Sequence, residues 1–338
     1  MDWNCSTTLI GSLPFEDPEL ALDLIAAEKV LCAPWPQLPR LGPKESMYSQ
    51  SAARLPGLVT DREGKLCIDL DDYDPMEFYT HLLGEELDWF QPPRDGHAGL
   101  YTFLGRDHSA CEAVKGQVTG PVSQGLQILD REGRPAIYDS SYGEIIRKGV
   151  NMYARWQERE LSKLNPNVLM FFDEPSFTLL GTPFASIAAD DAVAWLDEAM
   201  EGLSCHKAVH CCGNTDWPMV LRSGLDVLSL DAYSYGHTLA LYPEELAAFL
   251  ERGGSICWGI VPNNDEALAL ESVDTLFSLM EKHFSSLEAK GLDRDLLQRR
   301  CMLSPQCGLG GMEEGDAISV LKLLRELSEH MRERYSLP

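Results

Sequence analysis

Eight short apolar runs, separated by stretches with helical periodicity, constrain the fold of this 338-residue chain more than any other feature. Each run is rich in β-branched residues and has the length of a strand, about 4 to 8 residues. The apolar character of the runs is nearly continuous, as expected where helices cover both faces of a parallel sheet. The runs are TTLIGS (7–12), KVLCAPW (29–35), EAVKGQVTG (112–120), NVLMFFDEP (167–175), KAVHCCG (207–213), VLSLDAY (227–233), SICWGIV (255–261) and CMLSPQCGL (301–309).

Amphipathic helical patterns fill most of the gaps between these runs. The first, DPELALDLIAAEK, begins at an acidic cap with proline in its first turn, and two later patterns run into glycine, a common helix end. Eight strands in β-α alternation predict an α/β fold of the (β/α)8 TIM barrel type, although a doubly wound sheet has the same alternation. We expect one barrel domain over residues 1–338.

Residues 36–110 interrupt the alternation and are rich in proline, aspartate and glycine. Within them, LVTDREGKLCIDL predicts a hairpin with a turn near Asp61–Gly64. We interpret 36–110 as an insertion that caps the barrel mouth, in which PWPQLPR and ESMYSQ line the mouth and select the substrate.

The charge and the N-terminal segment limit the partners and the location. The net charge of −25 argues against nucleic acid and against an anionic membrane surface, because both require basic patches. No apolar run approaches the roughly 20 residues that span a bilayer. The segment MDWNCSTTLIGSLPF lacks the basic and apolar regions of a signal peptide, so we expect a cytoplasmic protein.

Ten cysteines in a cytoplasmic chain of this size are not expected to form a disulfide framework, and most are expected to be buried hydrophobes. However, reactive residues gather at the predicted carboxyl ends of strands, where TIM barrels have their active sites. These residues are Asp173, Glu174, His210, Cys211, Cys212, Asp231 and Cys307.

The alternation of side chains along a strand places His210 and Cys212 on one face and Cys211 on the other. Cys307 and Asp231, from other strand ends, would complete a tetrahedral set of ligands for Zn²⁺, which soft sulfur ligands select over magnesium or calcium. The alternatives are that Cys307 belongs to the core and that Asp231 caps a loop.

Five motifs in the same order resemble the C-terminal catalytic barrel of cobalamin-independent methionine synthase, within the uroporphyrinogen decarboxylase-like barrel superfamily. They are TTLIGSLP, KGQVTGPVS, FFDEPSF, HCCG and SPQCGLGG, and they cover most of the chain outside 36–110. HCCGN also resembles the zinc motif of methylcobamide:thiol methyltransferases of the same superfamily.

The resemblance implies that His210, Cys212 and Cys307 bind zinc. The fourth ligand in the family is a glutamate, at the position where this chain has Asp231, whose side chain is shorter by one methylene.

The resemblance also implies the substrate contacts. Ser12 and Asp173 match positions that hold the carboxylate and the amino group of homocysteine, and Glu174 would steady Asp173. Lys115 would meet a corrinoid or an acidic group of the substrate, or else pair with a carboxylate in the barrel. The reaction implied is methyl transfer to a zinc-activated thiolate, with methionine as the product.

Two departures from the family bear on the methyl donor. Cobalamin-independent methionine synthase has two barrels with methylfolate between them, whereas this chain has one. The segment CWGIVPNNDEA lacks the histidine that the family has there as a proton donor. We therefore predict a methyl-corrinoid donor, carried by a corrinoid protein, because Co(I) leaves as a stable anion and needs no proton.

Three alternatives remain from the sequence. The acceptor could be coenzyme M or another thiol, although coenzyme M has no amino group for Asp173. A uroporphyrinogen decarboxylase-like lyase would require several arginines at the mouth, and the first strand has none. A zinc or corrinoid carrier without enzymatic activity would bind thiols without turnover.

Overall fold

Eight parallel strands form the centre of the protein, in a computed structural model that describes residues 1–61 and 64–338. The barrel strands are β1 (Ser6–Thr7), β2 (Cys32–Pro34), β5 (Ala113–Thr119), β6 (Val168–Asp173), β7 (His206–Cys211), β8 (Val227–Leu230), β9 (Ser255–Val261) and β10 (Cys301–Pro305). Each of them lies within or overlaps one of the eight predicted runs. A separate antiparallel hairpin consists of β3 (Leu58–Thr60) and β4 (Leu66–Ile68).

The strand order shows that the sheet is a barrel. Hydrogen-bonded neighbours follow the order β1-β10-β9-β8-β7-β6-β5-β2. Parallel bridges from Thr8 to Cys32 and from Ser12 to Gln37 join the two ends of this sheet. The predicted (β/α)8 barrel is therefore confirmed, and the doubly wound sheet, which would leave two open edges, is wrong.

Helices surround the barrel and fill the connections between strands. They are α1 (Pro18–Ala27), α2 (Met47–Ser51), α3 (Met76–Leu83), α4 (Ala98–Phe103), α5 (Pro121–Gln127), α6 (Ser140–Leu161), α7 (Ala189–Met200), α8 (Trp217–Leu221), α9 (Ala232–Tyr235), α10 (Pro243–Glu251), α11 (Asp265–Leu268), α12 (Val273–Glu288), α13 (Arg294–Arg299) and α14 (Glu314–Tyr335). Short 3₁₀ turns span Pro39–Leu41, Pro43–Glu45, Leu87–Phe90, Ala136–Tyr138, Pro175–Leu179 and Gly236–Leu241. Asp17 caps α1 through the backbone N–H of Glu19, as the acidic cap in the sequence predicts. Across the described ranges, every helix is too short or too polar to cross a bilayer.

Alternation along the strands separates two apolar clusters. The large one lies between the sheet and the helices, whereas a small one, with Phe171, Ala208, Cys257 and Met302, fills the barrel interior. The next inward position after Phe171 is Asp173, two residues nearer the mouth. The lower part of the barrel interior is thus mostly apolar, and polar side chains gather toward the carboxyl ends of the strands.

The predicted hairpin within 36–110 is present, and its two central turn residues, 62–63, lie outside the described residues. The backbone of Ile68 donates to Leu129, and Leu129 donates back to Leu66, so the hairpin packs against the segment that follows α5. Residues 37–48 reach the barrel mouth. The interpretation of 36–110 as one capping insertion stays a prediction.

Candidate active site

A cleft of about 340 Å³ opens at the carboxyl ends of the barrel strands. Both predicted mouth segments contribute to it, Gln37 and Pro39 from PWPQLPR and Glu45 to Tyr48 from ESMYSQ. The lining residues are Ile10, Ser12, Gln37, Pro39, Glu45, Ser46, Met47, Tyr48, Asp173, Pro175, His210, Cys212, Cys307, Gly308, Gly310 and Gly311.

Three predicted metal ligands converge in this cleft. One ligand atom each of His210, Cys212 and Cys307 lies within 4.8 Å of the other two. The alternation at the end of β7 accounts for the first two, since Cys211 is fully buried in the cluster outside the barrel. Cys307 follows β10 and meets them from across the mouth, so it does not belong to the core.

The His210 imidazole is oriented by the neighbouring strand. Its Nδ1 lies 2.9 Å from the Ser229 hydroxyl, and the two residues are register partners of β7 and β8. Its Nε2 is buried and has no hydrogen-bond partner among the described residues. A histidine with one nitrogen fixed and the other free has the arrangement of a metal ligand.

The two thiols and His210 perturb one another's acidity. The neighbouring Cys307 thiol, followed by His210, holds the pKa of Cys212 well below the usual thiol range. The same contact with Cys212, and then burial, raises the pKa of Cys307. The cluster therefore already stabilises a thiolate, the form in which cysteine binds metals.

Asp231 is not among the three clustered residues. Its Oδ1 accepts from the backbone N–H of Ser234, at 2.9 Å, and from the Gln306 amide, at 3.0 Å. It thus caps α9, which is the alternative that the sequence left open for this residue.

Asp173 and Glu174 are adjacent but face different surroundings. Asp173 lines the cleft, its Oδ1 is buried without a partner among the described residues, and burial raises its pKa even though Lys115 and His210 oppose this. Glu174 is fully buried and does not line the cleft. Asp173 is thus available to a ligand, and Glu174 is not.

Glu174 instead holds the first turn of α5. Its carboxylate accepts from the backbone N–H groups of Val122, at 2.9 Å, and Ser123, at 2.8 Å, and from the Ser123 hydroxyl at 2.6 Å. A Cβ atom on Gly120 would come within 2.3 Å of this carboxylate. Within the Asp-Glu-Pro motif, Asp173 therefore lines the cleft, whereas Glu174 stabilises the start of α5.

Lys115 lies inside the barrel and does not line the cleft. Its ammonium donates to the carbonyl oxygen of Ile10 and to Gln117 Oε1, each at 2.8 Å, and lies 4.3 Å from the centre of the Phe171 ring. Burial lowers its pKa to about 8. The structure thus places Lys115 beneath the mouth, in contact with protein groups.

Ser12 lies at the rim of the cleft beside the glycine loop that follows Cys307. Its hydroxyl accepts from Gly310 N–H at 3.3 Å, and its carbonyl oxygen accepts from Leu309 N–H at 2.8 Å. A Cβ atom on Gly308 would lie 2.1 Å from the Ser12 hydroxyl, so only glycine fits at this point.

Sequence reasoning missed individual residues of the mouth, above all Glu45 and Tyr48, and it missed Ser229. The strand register could have found Ser229, since it occupies the inward position opposite His210. Glu45 and Tyr48 come from a segment without regular periodicity, and no pattern in the sequence gives the direction of their side chains.

The cleft contains no lysine or arginine among the described residues that line it. Its acidic groups are the carboxyls of Asp173 and Glu45, together with the thiols of Cys212 and Cys307. The cleft therefore favours a ligand that carries a positive charge over one that carries several negative charges.

No protein-family model matches this chain, and no curated protein matches it in sequence. Solved structures do match its fold. A B12-independent methionine synthase from Shewanella sp. W3-18-1, in complex with selenomethionine, is 14% identical with a TM-score of 0.56, over 97% of this chain and 98% of that one. A methyltransferase from Methanosarcina mazei is 13% identical with a TM-score of 0.61, over 96% of this chain and 93% of that one. These likenesses show the fold: the chain shares an α/β barrel with both structures.

Proposed function

We propose that this protein is a zinc-dependent thiol S-methyltransferase that converts homocysteine to methionine. The observation that carries the proposal is the cluster of His210, Cys212 and Cys307 in the cleft, with ligand atoms within 4.8 Å and a buried, free histidine nitrogen. Similarity of fold to a methionine synthase and a methyltransferase supports the same reaction class.

The donor set fits zinc. Two sulfurs and one imidazole nitrogen are the ligands that zinc prefers, and three protein ligands leave a position for a substrate. Zinc held there would act as a Lewis acid that lowers the pKa of an acceptor thiol, so that the thiolate forms near neutral pH. Ser229 would keep the His210 ring in place, and Asp231 would keep its position as a cap.

The charges of the cleft favour an amino-acid thiol as the acceptor. Asp173, with its free oxygen, offers a carboxylate to an ammonium group. Glu45 adds a second acidic group to the lining, and its oxygens are held by Gln50 and by the Ala98 N–H. Coenzyme M has a sulfonate and no ammonium, and a porphyrinogen has several carboxylates. Without a lysine or arginine in the cleft lining, both alternatives would place negative charge beside negative charge.

The lack of a further histidine, which could protonate a leaving amine, in the described lining of the cleft favours a methyl-corrinoid as the methyl donor. The end of β9 leads to Asn263, whose side-chain amide donates to Gly308 at 3.1 Å. The Tyr48 phenol has a pKa of about 12, raised first by burial, and is a weak acid. Among the described residues of the lining, His210 is the one histidine, and it belongs to the proposed zinc site, so a leaving amine would lack an imidazole as its proton donor, whereas a corrinoid requires none.

The transfer itself is an in-line displacement. The acceptor sulfur forms a bond to the methyl carbon while the carbon–cobalt bond breaks, and both electrons of that bond stay on cobalt, which goes from Co(III) to Co(I). Because a cleft of about 340 Å³ cannot enclose a corrin ring, the donor would lie over the mouth, held by a corrinoid protein. The residues of the cleft would hold the sulfur in line with the methyl group.

Metal content tests the centre. We expect about one zinc per chain in wild type, lost in Cys212→Ala and Cys307→Ala because each removes a sulfur ligand. Cys205→Ala is the matched control, since Cys205 is also partly buried but lies outside the cleft and should leave zinc unchanged. Wild type isolated without chelators and free of zinc would contradict the proposal.

Product formation tests the substrates separately. Zinc-loaded protein with L-homocysteine should form methionine from methylcobalamin and not from methyltetrahydrofolate. Methionine from the folate alone would overturn the corrinoid donor but leave the thiol methyltransferase. Turnover with coenzyme M and none with homocysteine would overturn the acceptor.

A further inference from the structure

The carboxylate of an amino-acid thiol requires hydrogen-bond donors in a cleft that has no lysine or arginine in its described lining. Most polar groups there already have partners. The Gln37 amide donates to Gln50 at 2.9 Å, and the Ser46 hydroxyl lies 3.0 Å from that of Ser49. Among the side-chain hydroxyls of the described lining, those left for a substrate are Ser12, whose oxygen accepts from Gly310 but whose proton is free to donate, and Tyr48.

The Tyr48 hydroxyl forms no hydrogen bond with any residue in the ranges that the structure describes, although the side chain is half-buried and lines the cleft. Tyr48 lines the same cleft as Asp173, Cys212 and Cys307. Burial, followed by the charges of Glu174, Cys212, Asp173 and Cys307, raises the pKa of the phenol to about 12 and keeps it protonated across the neutral range. It is therefore a permanent donor in the cleft that contains the His210, Cys212 and Cys307 cluster.

The helix that carries Tyr48 is fastened to the barrel. Thr119, at the end of β5, donates two hydrogen bonds to α2. Its hydroxyl donates to the carbonyl oxygen of Met47 at 3.0 Å, and its backbone N–H donates to the Ser51 hydroxyl at 2.8 Å. Gln124 donates to the carbonyl oxygen of Tyr48 at 3.2 Å. These bonds hold the backbone that carries Tyr48 in place before any ligand binds, which lowers the ordering cost of binding.

We propose that Tyr48 is a specificity-determining residue whose hydroxyl donates a hydrogen bond to the carboxylate of the acceptor. This inference rests on the proposed amino-acid thiol as the acceptor. Together with Ser12, Tyr48 would bind the carboxylate with neutral donors, while Asp173 faces the ammonium. The enzyme would then distinguish an α-amino-acid thiol from a simple aminothiol through Tyr48.

A comparison of two ligands on two proteins tests the proposal. L-homocysteine and 3-aminopropane-1-thiol, which is homocysteine without its carboxylate, are titrated calorimetrically into zinc-loaded wild type and Tyr48→Phe. For homocysteine we expect about tenfold weaker binding to the variant, the usual effect of losing a hydrogen bond to a charged group. For the aminothiol we expect equal binding to both proteins, because it has no carboxylate to lose.

Tyr79→Phe serves as the matched control, because Tyr79 is half-buried on α3 and lies outside the cleft. Its binding of both ligands should equal that of wild type, and the zinc content of all three proteins should agree. Equal homocysteine binding by wild type and Tyr48→Phe would overturn the proposal, and so would an equal loss for both ligands. If zinc-loaded wild type binds neither ligand, the proposed amino-acid thiol acceptor is wrong, and the role proposed for Tyr48 is wrong with it.

Discussion

Replacing Ser229 with alanine should weaken zinc binding without removing a ligand. Ser229 lies 2.9 Å from His210 Nδ1 and is fully buried, so water cannot replace the lost hydroxyl. One buried hydrogen bond contributes about 1 to 1.5 kcal/mol, which corresponds to roughly a tenfold change in a dissociation constant. Partners of this kind typically change metal affinity by about 10-fold to 100-fold, so we expect the lower end of that range.

Competition with a chromophoric chelator measures the effect as a zinc dissociation constant. Ser223→Ala is the matched control, because Ser223 is also fully buried and its hydroxyl donates to the carbonyl oxygen of Val220 at 2.9 Å. Both variants should lose similar free energy of unfolding, but only Ser229→Ala should bind zinc more weakly. Equal zinc affinity in the two variants would refute the argument that Ser229 fixes the imidazole for metal binding.

Three further predictions concern the scaffold and the rim. Gly120→Ala should lower the melting temperature strongly, because its Cβ would meet the Glu174 carboxylate at 2.3 Å, whereas Gly315→Ala, in open space, should be neutral or slightly stabilising. Burial lowers the pKa of His97 to about 4 from 6.5, so the unfolded chain binds its proton first and stability falls as pH drops through this range; His97→Gln should reduce that slope in denaturant titrations. Asp231→Asn should retain zinc in elemental analysis, because Asp231 bonds to Ser234 and Gln306, and loss of zinc would restore it as a ligand.

The barrel and the cluster of His210, Cys212 and Cys307 could be predicted because they depend on strand periodicity. Once His210 is placed at the end of an inward-facing series with Ala208, the direction of Cys212 follows from alternation, and so does the burial of Cys211. The position of Cys307 follows because parallel strands of a barrel end at the same rim. Neither inference requires any knowledge of loops.

The part of the cleft formed by Glu45 and Tyr48 could not be predicted in the same way. Glu45 ends the second of two 3₁₀ turns, and Tyr48 lies in a helix of five residues. Such short elements have no periodicity that sets the direction of a side chain. Their placement depends on bonds to distant residues, Ala98 for the Glu45 carboxylate and Thr119 for α2. Only the folded chain brings these partners together.

The pair Asp173 and Glu174 shows how one step along the chain separates binding from scaffold. Asp173 is the last inward residue of β6, in register with His210, and it reaches the cleft with a free oxygen. Glu174 is one position further, and its carboxylate accepts from the N–H groups at the start of α5.

Replacing each of these two carboxylates with the matching amide should therefore affect different properties of the protein. Asp173→Asn should weaken binding of an ammonium-bearing thiol and leave the melting temperature near that of wild type, whereas Glu174→Gln should lower the melting temperature, because an amide cannot accept all three hydrogen bonds as strongly. If calorimetric binding and thermal unfolding gave the reverse assignment, the separation of roles drawn from their hydrogen bonds would be wrong.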